Sequence, residues 1–190
     1  MRFSTATTIM AAAPVLASAS TTFTLMSARS GSAIHLQSVQ ASDQALWIGG
    51  ETETYCPNTT AAIDCTQFDN VAAFTFNEGA VAMDVSVPGG QLLYVKSDGE
   101  IGYTPAHSAG DIVGADTTSW TYTAPTNGNS FGTLSTTAFN STGFIACEHP
   151  AENRYKIFAY VPSVNITTCL GFDALAVTRN STDAAAWSYE

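Results

Sequence analysis

Residues 142–177 read TGFIACEHPAENRYKIFAYVPSVNITTCLGFDALAV, and this stretch decides the fold class. Three apolar runs, 144–147, 155–161 and 172–177, are too short for helices and rich in Phe, Ile, Val and Tyr, so they read as β-strands. A turn around Glu148, His149 and Pro150 joins the first two into a hairpin. Cys147, Cys169 and the sequon Asn165-Ile166-Thr167 lie in the same stretch.

The pattern recurs throughout the chain. Strands are predicted at 23–28, 34–39, 45–48, 73–76, 81–87, 91–96, 100–104, 119–123 and 132–135, ahead of the three above. Gly, Pro, Asn and Ser separate them, and apolar residues do not recur at the 3, 4 and 7 spacing of a helix. Three hairpins line up at a period near fifty: AIHLQSVQASDQALWIGG (33–50), QLLYVKSDGEIGYT (91–104) and GFIACEHPAENRYKIFAYV (143–161). Each is followed by a short aromatic strand, within AAFTF, TSWTYT and GFDALAV. Twelve short strands in a pseudo-threefold pattern predict an all-β, β-trefoil-like fold. A β-sandwich of two packed sheets is the alternative.

Residues 1–19, MRFSTATTIMAAAPVLASA, have the form of a secretory signal: a basic start, an apolar run and small residues at the cleavage point. The expected mature chain, residues 20–190, is about the size of one domain. Secretion makes disulfides the default for Cys56, Cys65, Cys147 and Cys169. Of the three possible connectivities, the local one, Cys56–Cys65 with Cys147–Cys169, closes the short loops and is expected here. Those closures contribute about 2.7 and 3.4 kcal/mol on a loop-entropy estimate. Sequons at Asn58, Asn140, Asn165 and Asn180 predict surface glycosylation.

The formal charge is −10, from 16 acids against 6 Lys and Arg. That balance argues against nucleic acid and anionic membrane as partners, because both require a basic patch. No zinc-type cysteine spacing and no G-x-S-x-G elbow occurs, so no metal, cofactor or catalytic residue is expected and the chain reads as non-enzymatic. His35 with Asp43, and His107 with Glu148 and His149, are weak groupings. Asp84 and Asp173, in apolar strands, would become candidates if desolvated without a partner. The aromatics Trp47, Tyr94 and Tyr103 are the candidate platform for a sugar, whose apolar face stacks on a ring. Trp120 reads as core, and Tyr122 lies in the same predicted strand. The Gln-x-Trp signature of ricin-type trefoils is absent: Gln44-Ala45-Leu46-Trp47 is one residue too long and is not repeated.

The phrases SARSGSAIHLQSVQAS (27–42), VPGGQLLYV with SDGEIGYTPAHSA (87–109), and GFIACEHPAENRYKIFAYV with CLGFDALAV (143–177) resemble the PhiA-type cell-wall proteins of filamentous fungi. These are small secreted proteins associated with phialide and conidium development, and related chains are described as IgE-binding antigens. The resemblance spans nearly the whole mature chain and implies a secreted, wall-associated, non-enzymatic protein, with cell-wall polysaccharide as the candidate partner. It carries over no catalytic residue.

Overall fold

The computed structural model describes residues 21–58, 62–108, 112–126, 128–163 and 168–190. The expected signal at 1–19 and the sequon residue Asn165 lie outside the described residues. The strands are β1 (Thr21–Ala28), β2 (Val39–Ser42), β3 (Ala45–Ile48), β4 (Thr54–Tyr55), β5 (Ala73–Asn77), β6 (Ala80–Met83) and β7 (Leu93–Val95). They continue as β8 (Ile101–Tyr103), β9 (Trp120–Thr123), β10 (Gly132–Thr136), β11 (Phe144–His149), β12 (Arg154–Ala159), β13 (Leu170–Thr178) and β14 (Ser188–Tyr189). The chain is all-β, as the sequence pattern predicts.

β13 organises the molecule. Along one edge it pairs with β1, from Ala28↔Asp173 to Phe23↔Thr178. Its other edge is divided. Leu170, Gly171 and Phe172 pair with Ala146, Ile145 and Phe144 of β11, whereas Ala174, Leu175 and Ala176 pair with Leu134, Thr133 and Gly132 of β10. One antiparallel sheet therefore runs β6-β5-β1-β13-β10-β9, and a second runs β13-β11-β12-β3-β8-β7 with β2 on the free side of β3. A strand shared by two sheets is the corner device of sandwiches whose sheets join along one side. Isolated bridges Met26↔Ser38 and Ala82↔Leu92 join the sheets again on other sides.

Period-two alternation buries one face of each sheet. Phe23 and Leu25 of β1, Phe74 of β5 and Ala174 and Ala176 of β13 meet Leu46, Ile48, Leu93, Ile101 and Ile157 of the second sheet in one apolar core. Ser27 takes an inward position in β1 and is fully buried; its hydroxyl donates to the carbonyls of Ile34 and Gln37. Trp120, Phe144 and Phe172 stack in series, with centroids 6.4 and 5.9 Å apart, beneath the point where β10 and β11 part.

Two strand expectations are corrected, and the threefold pattern is not confirmed. The hairpins β2–β3, β7–β8 and β11–β12 all form, but they lie in one sheet, where β12 and β8 share an edge of β3. The aromatic strands taken as equivalent also differ: β13 pairs with three strands, β5 with two and β9 with one. The pairings thus follow the two-sheet alternative and give no support to a threefold barrel. Residues 34–38 turn instead of extending, with Leu36 at φ 57°, because this places Ile34 in the core and returns the Leu36 amide to the Ser27 carbonyl. The predicted strand 81–87 ends at Met83, after which Val85 bridges in parallel to Ala186.

The last six residues form a strap the sequence did not signal. β14 pairs with β4, and the Ser86 and Val87 amides donate to the carbonyls of Ala186 and Trp187. Gln91, 1% exposed, fastens the strap: its side-chain oxygen accepts from the Tyr189 amide, and its side-chain nitrogen donates to the carbonyls of Tyr189 and Thr104. The Tyr189 hydroxyl donates to the Val71 carbonyl and accepts from the Ala73 amide. Both expected disulfides are present; Cys56–Cys65 closes the loop beside β4, and Cys147–Cys169 ties β11 to the start of β13.

Candidate functional site

The aromatic platform expected from sequence is not open to a ligand. Trp47, on the outer face of β3, is only 5% exposed. The Arg154 guanidinium lies 3.6 Å from its ring centroid, His149 abuts it edge-on at 5.8 Å, and its indole N–H donates to the Ser42 carbonyl. Arg154 is held in place by Asp43 at 2.8 Å and by Glu152. Tyr103 is fully buried, with its hydroxyl donating to the Glu190 carbonyl, and burial pushes its phenol pKa well above the ordinary range. Tyr94 lies half-buried across Gly102, its register partner, where a Cβ would fall 2.5 Å from the phenol oxygen. Trp47 serves the scaffold because a face that stacks on a guanidinium is lost to a sugar, and Tyr103 because it is buried.

The other groupings resolve likewise. His35 accepts from the Arg29 amide while Asp43 bonds Arg154, so the two are not a dyad. Asp84 is raised by burial against the pull of Arg179, which reaches it at 3.1 Å and Asp69 at 3.0 Å. It is desolvated but partnered. Burial also pushes Glu100 up, yet hydrogen bonds from Lys156 at 2.6 Å and Lys96 at 2.7 Å outweigh it and hold the carboxyl below its ordinary value. Among the described residues no three His, Cys, Asp or Glu side chains converge as metal ligands.

The open feature is the fork where β10 and β11 separate along β13. Two adjoining hollows, of about 460 and 350 Å³, share Thr142, Gly143, Phe144, Phe172 and Asp173. Thr133 and Ser135 of β10 flank one side, and Tyr160, 46% exposed, stands at the other. Phe144 and Phe172, mostly buried, form the floor above Trp120. Asp173, a candidate only if desolvated, is exposed. Its carboxylate has no hydrogen-bond or ion-pair partner among the described residues. The Arg29 guanidinium donates at 2.6 Å to the carbonyl of Gly171, which lines the first hollow. The cleft therefore offers hydroxyls, one carboxylate and a phenol over an apolar floor, the mixed lining that fixes a polyhydroxylated ligand. Sequence reasoning singled out Asp173 but passed over the cleft, because only the divided edge of β13 brings Thr142 and Asp173 together.

The rim carries a strained turn. Phe139 has φ 50° and ψ 34°, and Asn140 follows at φ 59°. A bulky residue in the left-handed region persists only where its surroundings hold it. Here the Ser141 hydroxyl donates to the Thr136 carbonyl at 2.8 Å, and the Asn140 and Ser141 amides donate to Thr137 and Ala138. Of the sequon residues, Asn58, Asn140 and Asn180 are exposed.

Fold and surface together define a disulfide-stapled all-β protein with paired cations and a polar cleft among the described residues. Residues 23–190 match the family described as PhiA-like secreted protein, and the chain belongs to that family. A protein of Arthroderma benhamiae described as an uncharacterized secreted protein is 33% identical over 156 residues, covering 80% of this chain and 76% of its own. No solved structure matches.

Proposed function

We propose that this protein is a non-catalytic glycoprotein of the fungal wall that acts by binding wall polysaccharide in the β10–β11 cleft, with a structural role in building the conidiophore or spore wall. The observation that carries the reading is the cleft: a free Asp173 carboxylate and the hydroxyls of Thr133, Ser135 and Thr142 beside an exposed Tyr160. Membership of a secreted family and the resemblance to PhiA-type wall proteins support the location. Binding is favoured over turnover because Asp84, Glu100 and His35 are committed to structural partners.

The test is retention of the deglycosylated protein on β-glucan, chitin and mannan, compared with the Asp173→Ala and Tyr160→Ala variants. We expect saturable binding to one polymer and a loss of at least about tenfold in each variant, the scale of one desolvated hydrogen bond or stacking contact. Retention by none of the three polymers, or equal retention by both variants, removes the cleft from the account. Recovery of the protein only in the medium, never with walls, removes the wall.

A further inference from the structure

The sequon Asn140-Ser141-Thr142 is built into the cleft. Its third residue, Thr142, lines both hollows. The Thr142 amide donates to the Tyr160 carbonyl at 3.0 Å, and the Tyr160 amide donates to the Gly143 carbonyl at 2.8 Å, so the sequon is pinned beside the phenol. Asn140 is exposed on the rigid left-handed turn, and two residues of chain span at most about 7 Å. A glycan on Asn140 thus starts within about one sugar unit of the rim.

We propose that the N-glycan of Asn140 folds back into the β10–β11 cleft and caps it, so that the glycan's state sets whether the cleft is free for an external polymer. This rests on the reading of the cleft as a sugar site and adds its regulation. A ligand on so short a tether has an effective concentration on the order of millimolar. Single-site sugar contacts of millimolar strength are then half saturated or more without any free ligand. An external polymer must displace the tethered glycan, and its apparent affinity falls by the fraction occupied.

The experiment uses the secreted glycoprotein, the same protein trimmed by endoglycosidase to one residue per site, the enzymatically deglycosylated form, and Asn140→Gln. Asn58→Gln and Asn180→Gln serve as controls. Tyr160 is nitrated with tetranitromethane and followed by peptide mass spectrometry, and retention on β-glucan, chitin and mannan is measured in parallel. We expect Tyr160 to react at least about twofold more slowly when Asn140 carries its full glycan. The two control variants should retain that shielding, and Asn140→Gln should lose it. Trimming in the folded state gives the same comparison if Asn140→Gln folds poorly. Equal nitration in all forms, or an Asn140 peptide without sugar, overturns the capping, while polymer retention by the bare protein leaves the wall-binding reading standing. Shielding without retention in any form has the opposite meaning: the cleft seats the protein's own glycan and does not bind the wall.

Discussion

At the scale of single residues, Gln91 is the position with most at stake. One buried amide serves the Tyr189 amide and the carbonyls of Tyr189 and Thr104. Gln91→Ala leaves all three without partners, at about 1–3 kcal/mol per stranded group before relaxation, so a loss of about 3–5 kcal/mol is expected. A urea midpoint shifted at constant slope would show this; a shift under about 1 kcal/mol would mean that water replaces the side chain. The carboxylates make an opposed pair of predictions. Glu100 is held below its ordinary value, so the unfolded chain binds its proton first, and the stabilisation is lost as pH falls below about 4.3 toward the folded value. Asp84 is raised, so the native state binds its proton first, and its contribution declines as pH rises through that elevated value. Denaturant titrations across acid pH should show Glu100→Gln flattening the acid loss and Asp84→Asn flattening the opposite slope. A pH profile unchanged in both variants would contradict these environments.

At the scale of elements, the strap and the loop it holds behave as one unit. Residues 185–190 pack through Tyr189, bridge to Val85 and pair with β4 beside Cys56–Cys65. Replacing Cys56 and Cys65 with Ser should lower stability by about 2.7 kcal/mol, and replacing Cys147 and Cys169 by about 3.4 kcal/mol. Calorimetry on the two double variants would test the order; a larger loss from the first pair would mean that the loop disulfide also holds the strap. The sequence announced the β7–β8 and β11–β12 hairpins, because each alternates cleanly around a turn, and it announced β1 and β13 through long apolar alternation, but it set the first arm of the β2–β3 hairpin at 34–39 where the strand is Val39–Ser42. It did not announce β4 and β14, because two residues carry no period and their pairing is set by Gln91 from elsewhere. Nor did it announce the fork, since period-two alternation says which face is buried but not which neighbour each half of a strand takes. Trp47 was misread as a platform for a related reason: its cover, Arg154, comes from the strand beside it, more than a hundred residues away in the chain.

For the whole molecule, charge is arranged so that every Lys and Arg among the described residues is engaged. Arg29 holds the Gly171 carbonyl, Lys96 and Lys156 share Glu100, Arg154 joins Asp43 to Glu152, and Arg179 joins Asp69 to Asp84. The acids left over give the surface its sign, consistent with the formal charge of −10. Because β13 belongs to both sheets, neither can open fully alone. Amides of Leu25, Ala174 and Ala176 should exchange only through global unfolding, while those of β9, paired on one side, exchange at least about a hundredfold faster. Comparable rates in β9 and β13 would indicate two independently opening sheets.

The same shared strand bears on how the protein is made. β1 is among the first strands to be synthesised, yet its partner lies roughly 150 residues later, so the ribosome must finish nearly the whole chain before the central pairing can form. At 5–20 residues per second that wait is about 8–30 s, during which the Phe23 and Leu25 edge of β1 is bare. Such long-range closure places the chain among slow folders. Its yield is therefore expected to depend on the chaperones that hold the unpaired strand during that interval, before the native contacts described above exist.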